Sequence, residues 1–263
     1  KSRFGGSLLT SEVTIGNQSG QEWAEKIISE LKSMPNVVVK NRSQVFGYYD
    51  HNMLVMSERI SDHLPKTEKY SPKQRLWYIR AKEVVISSGS IERPLVFGNN
   101  DTPGVMLSSA AKEYLKIYGV LVGKKPLVFT NNDSGYETAI EFKKNGINPI
   151  VLDTRKDPNS EIIKEAKDLN IDIKNSYVVV AAKGYKKVNS ADIAKISDDK
   201  KNINNIENIK CDCICVSGFW TPTIHLASQS GNKTKFNEEI DAFIPSKSKQ
   251  KETTLGSANG IFT

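Results

Sequence analysis

RLWYIRAKEVVISSGSIERPLVFGNNDTPGVMLSSAAKEYLKIYG, from Arg75 to Gly119, is the stretch on which the reading of this chain turns. Alternation through Leu76–Ala81 and the β-branched run within Glu83–Ser87 predict two strands. The second runs directly into Ser88-Gly89, then Glu92-Arg93-Pro94, then a loop closing at Pro103-Gly104. A strand ending in a small hydroxyl residue and glycine can bring bare backbone against a flat or charged ligand, because glycine has no Cβ to block the approach. A helix follows over Ser108–Tyr118, with Ser108 as expected N-cap and Gly119 as expected C-cap.

Upstream, Trp23, Ile27, Ile28 and Leu31 share one face of a helix expected over Gln21–Ser33, which Pro35 stops. Val37–Lys40 reads as a short strand. Gln44–Tyr49 and Met53–Ile60 read as a hairpin turned at Asp50-His51-Asn52, so this part is antiparallel in character. Downstream the pattern alternates: strand Pro126–Thr130, helix Ser134–Asn145, strand Pro149–Asp153, helix Ser160–Leu169, strand Ile171–Ile173. Such alternation predicts a parallel sheet. Tyr177–Ala181, Lys186–Asn189 and Ala191–Ser197 read as a meander, and the strand Cys211–Val216 ends at a second strand-to-glycine junction, Ser217-Gly218. The expected organisation is an inserted Rossmann-like α/β domain, 120–216, within a discontinuous host, 1–119 and 217–263.

With 263 residues the chain is long enough for one large or two small domains. No apolar run reaches the roughly 20 residues of a membrane helix, and no secretory signal is visible. The net charge of +7 is spread through helices and loops without a basic, aromatic-interleaved patch, so it reads as solvated surface rather than a nucleic-acid footprint. Cys211, Cys213 and Cys215 alternate, which predicts three thiols on one strand face. CxCxC lacks the spacer of common zinc sites, so buried reduced thiols and a cytoplasmic setting are expected.

Candidate chemistry is sparse. His51, His63 and His225 are not spaced as metal ligands, and no GxSxG or defensible Cys–His pairing occurs. Arg93 can bind phosphate or carboxylate, or brace its loop through Glu92. The turn Thr130-Asn131-Asn132-Asp133-Ser134-Gly135 stands where a second dinucleotide site would place GxGxxG, with only Gly135 surviving. Asp133 would repel phosphate, and Asp153 stands where a ribose-binding acid would sit.

Several phrases, in order, resemble the alpha subunit of heterotetrameric sarcosine oxidases. They are Gly5-Gly6-Ser7-Leu8-Leu9, VFGYYDHNMLVMSERISDHLP (45–65), ERPLVFGNNDTPGVML (92–107), LVFTNNDSGYETA (127–139), VLDTR (151–155), CVSGFWTPTIHLASQSG (215–231) and GSANGIF (256–262). YYDHN and ERPLVFGNNDTPGVML are the most specific. The resemblance implies an α/β fold of the nested two-dinucleotide-binding-domain type (disulfide-reductase-like, FAD/NAD(P)-binding), truncated at the first βαβ unit. No GxGxxG occurs, so the chain is expected to be a fragment that binds dinucleotide weakly or not at all by itself and is inactive alone.

The family's reaction converts sarcosine, tetrahydrofolate and oxygen to glycine, 5,10-methylenetetrahydrofolate and hydrogen peroxide. Amine oxidation takes place on the beta subunit. The resemblance implies NAD in the intact subunit, FAD and FMN in the full complex, and beta, gamma and delta subunits as partners. It implies cofactor contacts at Gly5, Gly6, Ser7, Val45, Ser88, Gly89, Ser257, Ala258 and Phe262, with no catalytic residue and no metal. The alternatives are an alpha chain of a related FAD/NAD-dependent amine, proline or opine dehydrogenase, or a non-catalytic scaffold.

Overall fold

Residues 3–262 are described by the structure, a computed structural model. Residues 1, 2 and 263, at the two ends of the expected host domain, lie outside them. The chain divides into two units. One runs to Ile91 and resumes at Thr221; the other is Glu92–Trp220. These boundaries replace 119/120 and 216/217, because the strand Val105–Leu107 pairs with Cys213–Ser217 and the helix after it packs in the second unit.

In the first unit a 3-10 turn, Gly6–Leu9, precedes a short hairpin of β1 (Thr14–Ile15) and β2 (Gln18–Ser19), then α1 (Gly20–Ser33). Ser19 and Glu22 form a capping box: Ser19 Oγ accepts from the Glu22 N–H, and the Glu22 carboxylate accepts from the Ser19 N–H. Met34, extended ahead of Pro35, ends the helix. The expected strand Val37–Lys40 is instead irregular, with Val38 81% exposed and no ladder partner. β3 (Ser43–Tyr49), β4 (Met53–Arg59) and β5 (Gln74–Arg80) form an antiparallel sheet. Left-handed backbone at His51 and Asn52 closes its first hairpin. β6 (Val84–Ile86) follows, then β7 (Ser90–Glu92).

The second unit is built on a five-stranded parallel sheet. Its elements are β8 (Val105–Leu107), α2 (Ser108–Tyr118), β9 (Pro126–Thr130), α3 (Ser134–Lys144), β10 (Ile150–Asp153), α4 (Glu161–Asp168) and β11 (Asp172–Asn175). The antiparallel meander β12 (Tyr177–Lys183), β13 (Ser190–Ile196) and β14 (Ile203–Ile209) follows, then β15 (Cys213–Ser217). The sheet order is β11-β10-β9-β15-β8. Side-chain alternation splits its core. Val128, Val151, Cys213 and Cys215 pack with Tyr136, Ala139, Phe142 and Ile163 of the helices. Leu127, Phe129, Leu152, Ile214 and Val216 pack with Val179, Val188 and Ile193 of the meander region.

Three expectations change here. Cys211 precedes β15 and packs with the meander cluster, so the three thiols do not share a face. Lys186–Asn189 is a turn region rather than a strand; the third meander strand is β14. The N-cap of α2 is Leu107, without a side-chain bond of its own. The Ser109 N–H donates to the buried Glu92 carboxylate at 2.8 Å. Gly119, at φ 63°, is the C-cap.

After β16 (Trp220–Pro222), which pairs with β7, the chain resumes the first unit with α5 (His225–Gln229), the hairpin β17 (Thr234–Asn237) and β18 (Ala242–Pro245), and β19 (Glu252–Thr254). β19 pairs in parallel with β6. Tyr48, Val84, Ile86 and Ala227 form a buried cluster, and a polar hub sits at the hairpin turn. Asn52 Oδ1 accepts from the Tyr48 hydroxyl (2.9 Å), and its Nδ2 donates to the Lys82 and Lys251 carbonyls. Its own N–H donates to Gln250 Oε1, while Gln250 Nε2 donates to the Tyr49 and Ser230 carbonyls. YYDHN thus fastens the hairpin to two distant backbone segments.

Candidate functional site: paired strand-end turns

In the first unit β6 and β19 run side by side in the same direction, and the Leu255 N–H donates to the Ile86 carbonyl where both end. Ser88-Gly89 follows one strand and Gly256-Ser257-Ala258 the other. Gly89 (φ 78°) and Gly256 (φ 62°) both adopt left-handed backbone, and a Cβ added to either would enter open space. Bare backbone is therefore presented at the carboxyl ends of two adjacent parallel strands, the position where open α/β sheets receive ligands. The Ser88 hydroxyl donates to the Thr223 carbonyl (2.8 Å), and the Thr223 N–H returns to the Gly89 carbonyl, holding the turn open. Ala258 is fully buried in the 3-10 turn Gly256–Asn259, which Gly260 caps. Phe262 is half-buried.

The other expected contacts stand on different elements. Gly5 (φ 118°) and Gly6 (φ 55°) form a turn whose Ser7 carbonyl accepts from the Thr10 and Ser11 N–H groups. A Cβ on Gly5 would press on Leu9 and Ala24, so that glycine serves packing on α1, whereas Gly6 faces open space. Val45 pairs with Met56 beside a bulge in β3. The structure brings Ser88-Gly89 and Ser257-Ala258 together through one strand pairing.

The matching junction in the second unit is filled by its own side chains. Asp153, fully buried at the end of β10, accepts from the Tyr136 hydroxyl (2.9 Å) and from the Arg155 backbone and guanidinium. Arg155 also pairs with Asp133 at 2.8 Å. Burial lowers the Arg155 pKa, but bonds to Asp153 and Asp133 outweigh it and raise the pKa overall. Burial first, then Asp153, raises that of Tyr136. Asn132 Nδ2 donates to Ser217, Ser134 Oγ bonds both Asn132 and Ser217, and Trp220 Nε1 donates to Ser134 Oγ (3.2 Å). A Cβ on Gly135 would meet Thr130 at 2.6 Å, so this glycine serves helix–strand packing. Asp153 is therefore neither a simple turn residue nor a carboxylate open to a ribose. Arg155 closes the network and carried no distinguishing signal in the sequence.

For Arg93, where the sequence left a ligand contact and a brace through Glu92 both open, the structure shows contacts on other groups. Glu92 faces the α2 N-terminus, and the Arg93 guanidinium lies over the Phe219 ring at 5.8 Å. Burial raises the Glu92 pKa, against bonds to Ser109 and Ser217 and the charge of Lys112. The three cysteines are buried, and burial pushes the Cys211 thiol up to about 12. Among the described residues no group of three His, Cys, Asp or Glu could hold a metal ion, and no helix is long and apolar enough to cross a membrane.

Two α/β units, one inserted in the other along the chain, define the class, and solved structures agree. The chain is similar to thioredoxin reductase of T. acidophilum (TM-score 0.71, 14% identity, 98% of this chain and 80% of that one). It is also similar to L-proline dehydrogenase of P. horikoshii (TM-score 0.66, 20% identity, 98% and 44%). These identities show the fold alone: the α/β fold of FAD/NAD(P)-binding disulfide oxidoreductases.

Sequence relatives are more particular. The chain is 35% identical to sarcosine oxidase subunit alpha of Rhizobium meliloti (strain 1021) over 97% of its own length and 25% of that protein. It is 31% identical to the subunit of the same name from Corynebacterium sp. (strain U-96), over 98% and 27%. The chain is thus a relative of sarcosine oxidase alpha subunits and spans about a quarter of their length. No protein-family model matches it.

Proposed function

We propose that this chain supplies the dinucleotide-binding portion of a sarcosine oxidase alpha subunit, with NAD as the ligand. The observation that carries this reading is the pair of open, left-handed glycine turns at the ends of β6 and β19. Backbone at Gly89 and Gly256 lies close to the NAD pyrophosphate, with Ser88, Ser257 and Ala258 shaping the cradle. Gly5, Gly6, Ser7, Val45 and Phe262 complete the contacts. The self-filled turn at Asp153 supports one nucleotide per subunit rather than two. The CH–NH oxidation of sarcosine, with its FAD and FMN, belongs to the whole cytoplasmic complex with beta, gamma and delta subunits. This portion binds and scaffolds rather than oxidises, and no reaction is expected of it alone. The test is nucleotide analysis of the full-length subunit purified with its partners, after acid release. One NAD per alpha subunit, beyond the flavins, is expected. Its absence, or FAD in its place on the isolated alpha subunit, contradicts the reading.

A further inference from the structure

At the opposite, amino-terminal edge of the second unit's parallel sheet lies a cleft of about 380 Å³ that the reading above does not use. That size lies within the range of small-molecule sites, roughly 300–1,000 Å³. Pro126, Pro149 and Ile150, at the starts of β9 and β10, give it an apolar floor, and Lys125, Lys143 and Lys210 line it. Topology sets this cluster. β9 and β15 are neighbours, and the Asp212 N–H donates to the Lys125 carbonyl, so Lys125 and Lys210 enter the sheet side by side. Lys143 comes from the last turn of α3.

The charge here is not cancelled locally. The Asp212 carboxylate accepts the Lys124 and Lys125 backbone N–H groups, at 2.8 Å each. Among the described residues neither Lys125 nor Lys210 makes an ion pair, and Lys143 donates to the neutral amide of Asn148. Asp172 is the one acid lining the cleft among the described residues. The C-terminus of α3 contributes about half a negative charge, so the three lysines leave the cleft net positive.

We propose that this cleft binds a small organic carboxylate, its apolar body on Pro126, Pro149 and Ile150 and its carboxylate on Lys125 and Lys210. The site is independent of the NAD reading. The test is calorimetry and backbone amide NMR on the full chain with 2-naphthoate and its neutral analogue 2-naphthamide. Naphthoate should bind about five-fold more tightly, the effect of two exposed ion pairs, and should shift the amides of Leu127, Ile150 and Asp172. K125Q/K210Q, at two exposed positions, should remove that preference while leaving the circular dichroism spectrum and naphthamide affinity unchanged. Equal affinities, no binding, shifts elsewhere, or a preference that survives the double substitution would overturn the proposal.

Discussion

Asn52→Ala should be the most damaging small substitution in the first unit. Asn52 is 6% exposed, and its side chain makes three hydrogen bonds, with the Tyr48 hydroxyl and the Lys82 and Lys251 carbonyls. Alanine leaves the buried Tyr48 hydroxyl and the two part-buried carbonyls without it, at about 1 kcal/mol each. It also places a Cβ-bearing residue without an Asn side chain at φ 51°, which costs about 1 kcal/mol more. The sum is about 3–4 kcal/mol. Hydrogen exchange read by mass spectrometry suits a chain of two units, where a single unfolding transition is not assured. Peptides covering 43–59 and 81–86 should lose protection by roughly 100- to 1,000-fold, at about 1.4 kcal/mol per decade. Peptides covering 126–142 should be unchanged. Tyr48→Phe should cost about 1 kcal/mol in the wild type and nothing, or a small gain, beside Asn52→Ala, because the shared bond is already gone and the stranded hydroxyl is removed. A loss below about 1 kcal/mol, or full additivity of the two substitutions, refutes the reasoning.

Arg155→Gln strips a buried carboxylate, Asp153, of its charged partner; because Arg155 is itself 34% exposed, the cost should be about 2–3 kcal/mol, toward the low end for a broken buried pair, read as lost exchange protection over 126–153. Gly184→Ala should destabilise the β12–β13 turn by about 2 kcal/mol or more, since φ is 147° and the new Cβ would overlap the Lys187 carbonyl; wild-type thermal stability in this variant would contradict that. Glu92 holds its proton more tightly folded than unfolded, so its contribution is fully present below the ordinary value of 4.5 and is lost as pH rises through the raised folded value. Glu92→Gln should therefore gain urea resistance relative to wild type at about pH 8 compared with about pH 4, whereas a pH-independent difference would count against this. The three thiols should react with iodoacetamide only on unfolding, since all are buried and Cys211 is pushed up to about 12.

Local pattern carried much of the second unit. Pro126–Thr130 stands where the apolar run put it, and Gly119 caps its helix in left-handed backbone. β14 was not legible because residues 203–208 are exposed on both faces, leaving no alternation to read. Cys211 misled because period-two counting assumes a strand that begins two residues later. The domain boundary was displaced because β8 is three half-buried residues tied to the second unit by pairing with distant β15 and by packing of Val105 and Met106 on its core, neither of which a local pattern shows. The same limit applies to the site. Ser88-Gly89 was recognisable as a strand-end turn and Ser257-Ala258 only through the family resemblance, and their meeting depends on the pairing of β6 with β19, far apart in sequence. The closing of the second turn by Arg155 depends on a side chain folding back two residues onto Asp153, which no spacing rule announces.

The most direct test of the central claim is the NAD content of the assembled enzyme carrying Gly89→Val, beside Asp153→Asn. The first places a branched side chain in the open space of the strand-end turn; the second alters only the self-filled turn. NAD lost in Gly89→Val and kept in Asp153→Asn, with Gly89→Val keeping its flavins and its assembly despite the roughly 1–2 kcal/mol strain of a branched residue at φ 78°, is the predicted result. NAD kept in Gly89→Val, or lost in Asp153→Asn alone, would place the nucleotide elsewhere and contradict the account.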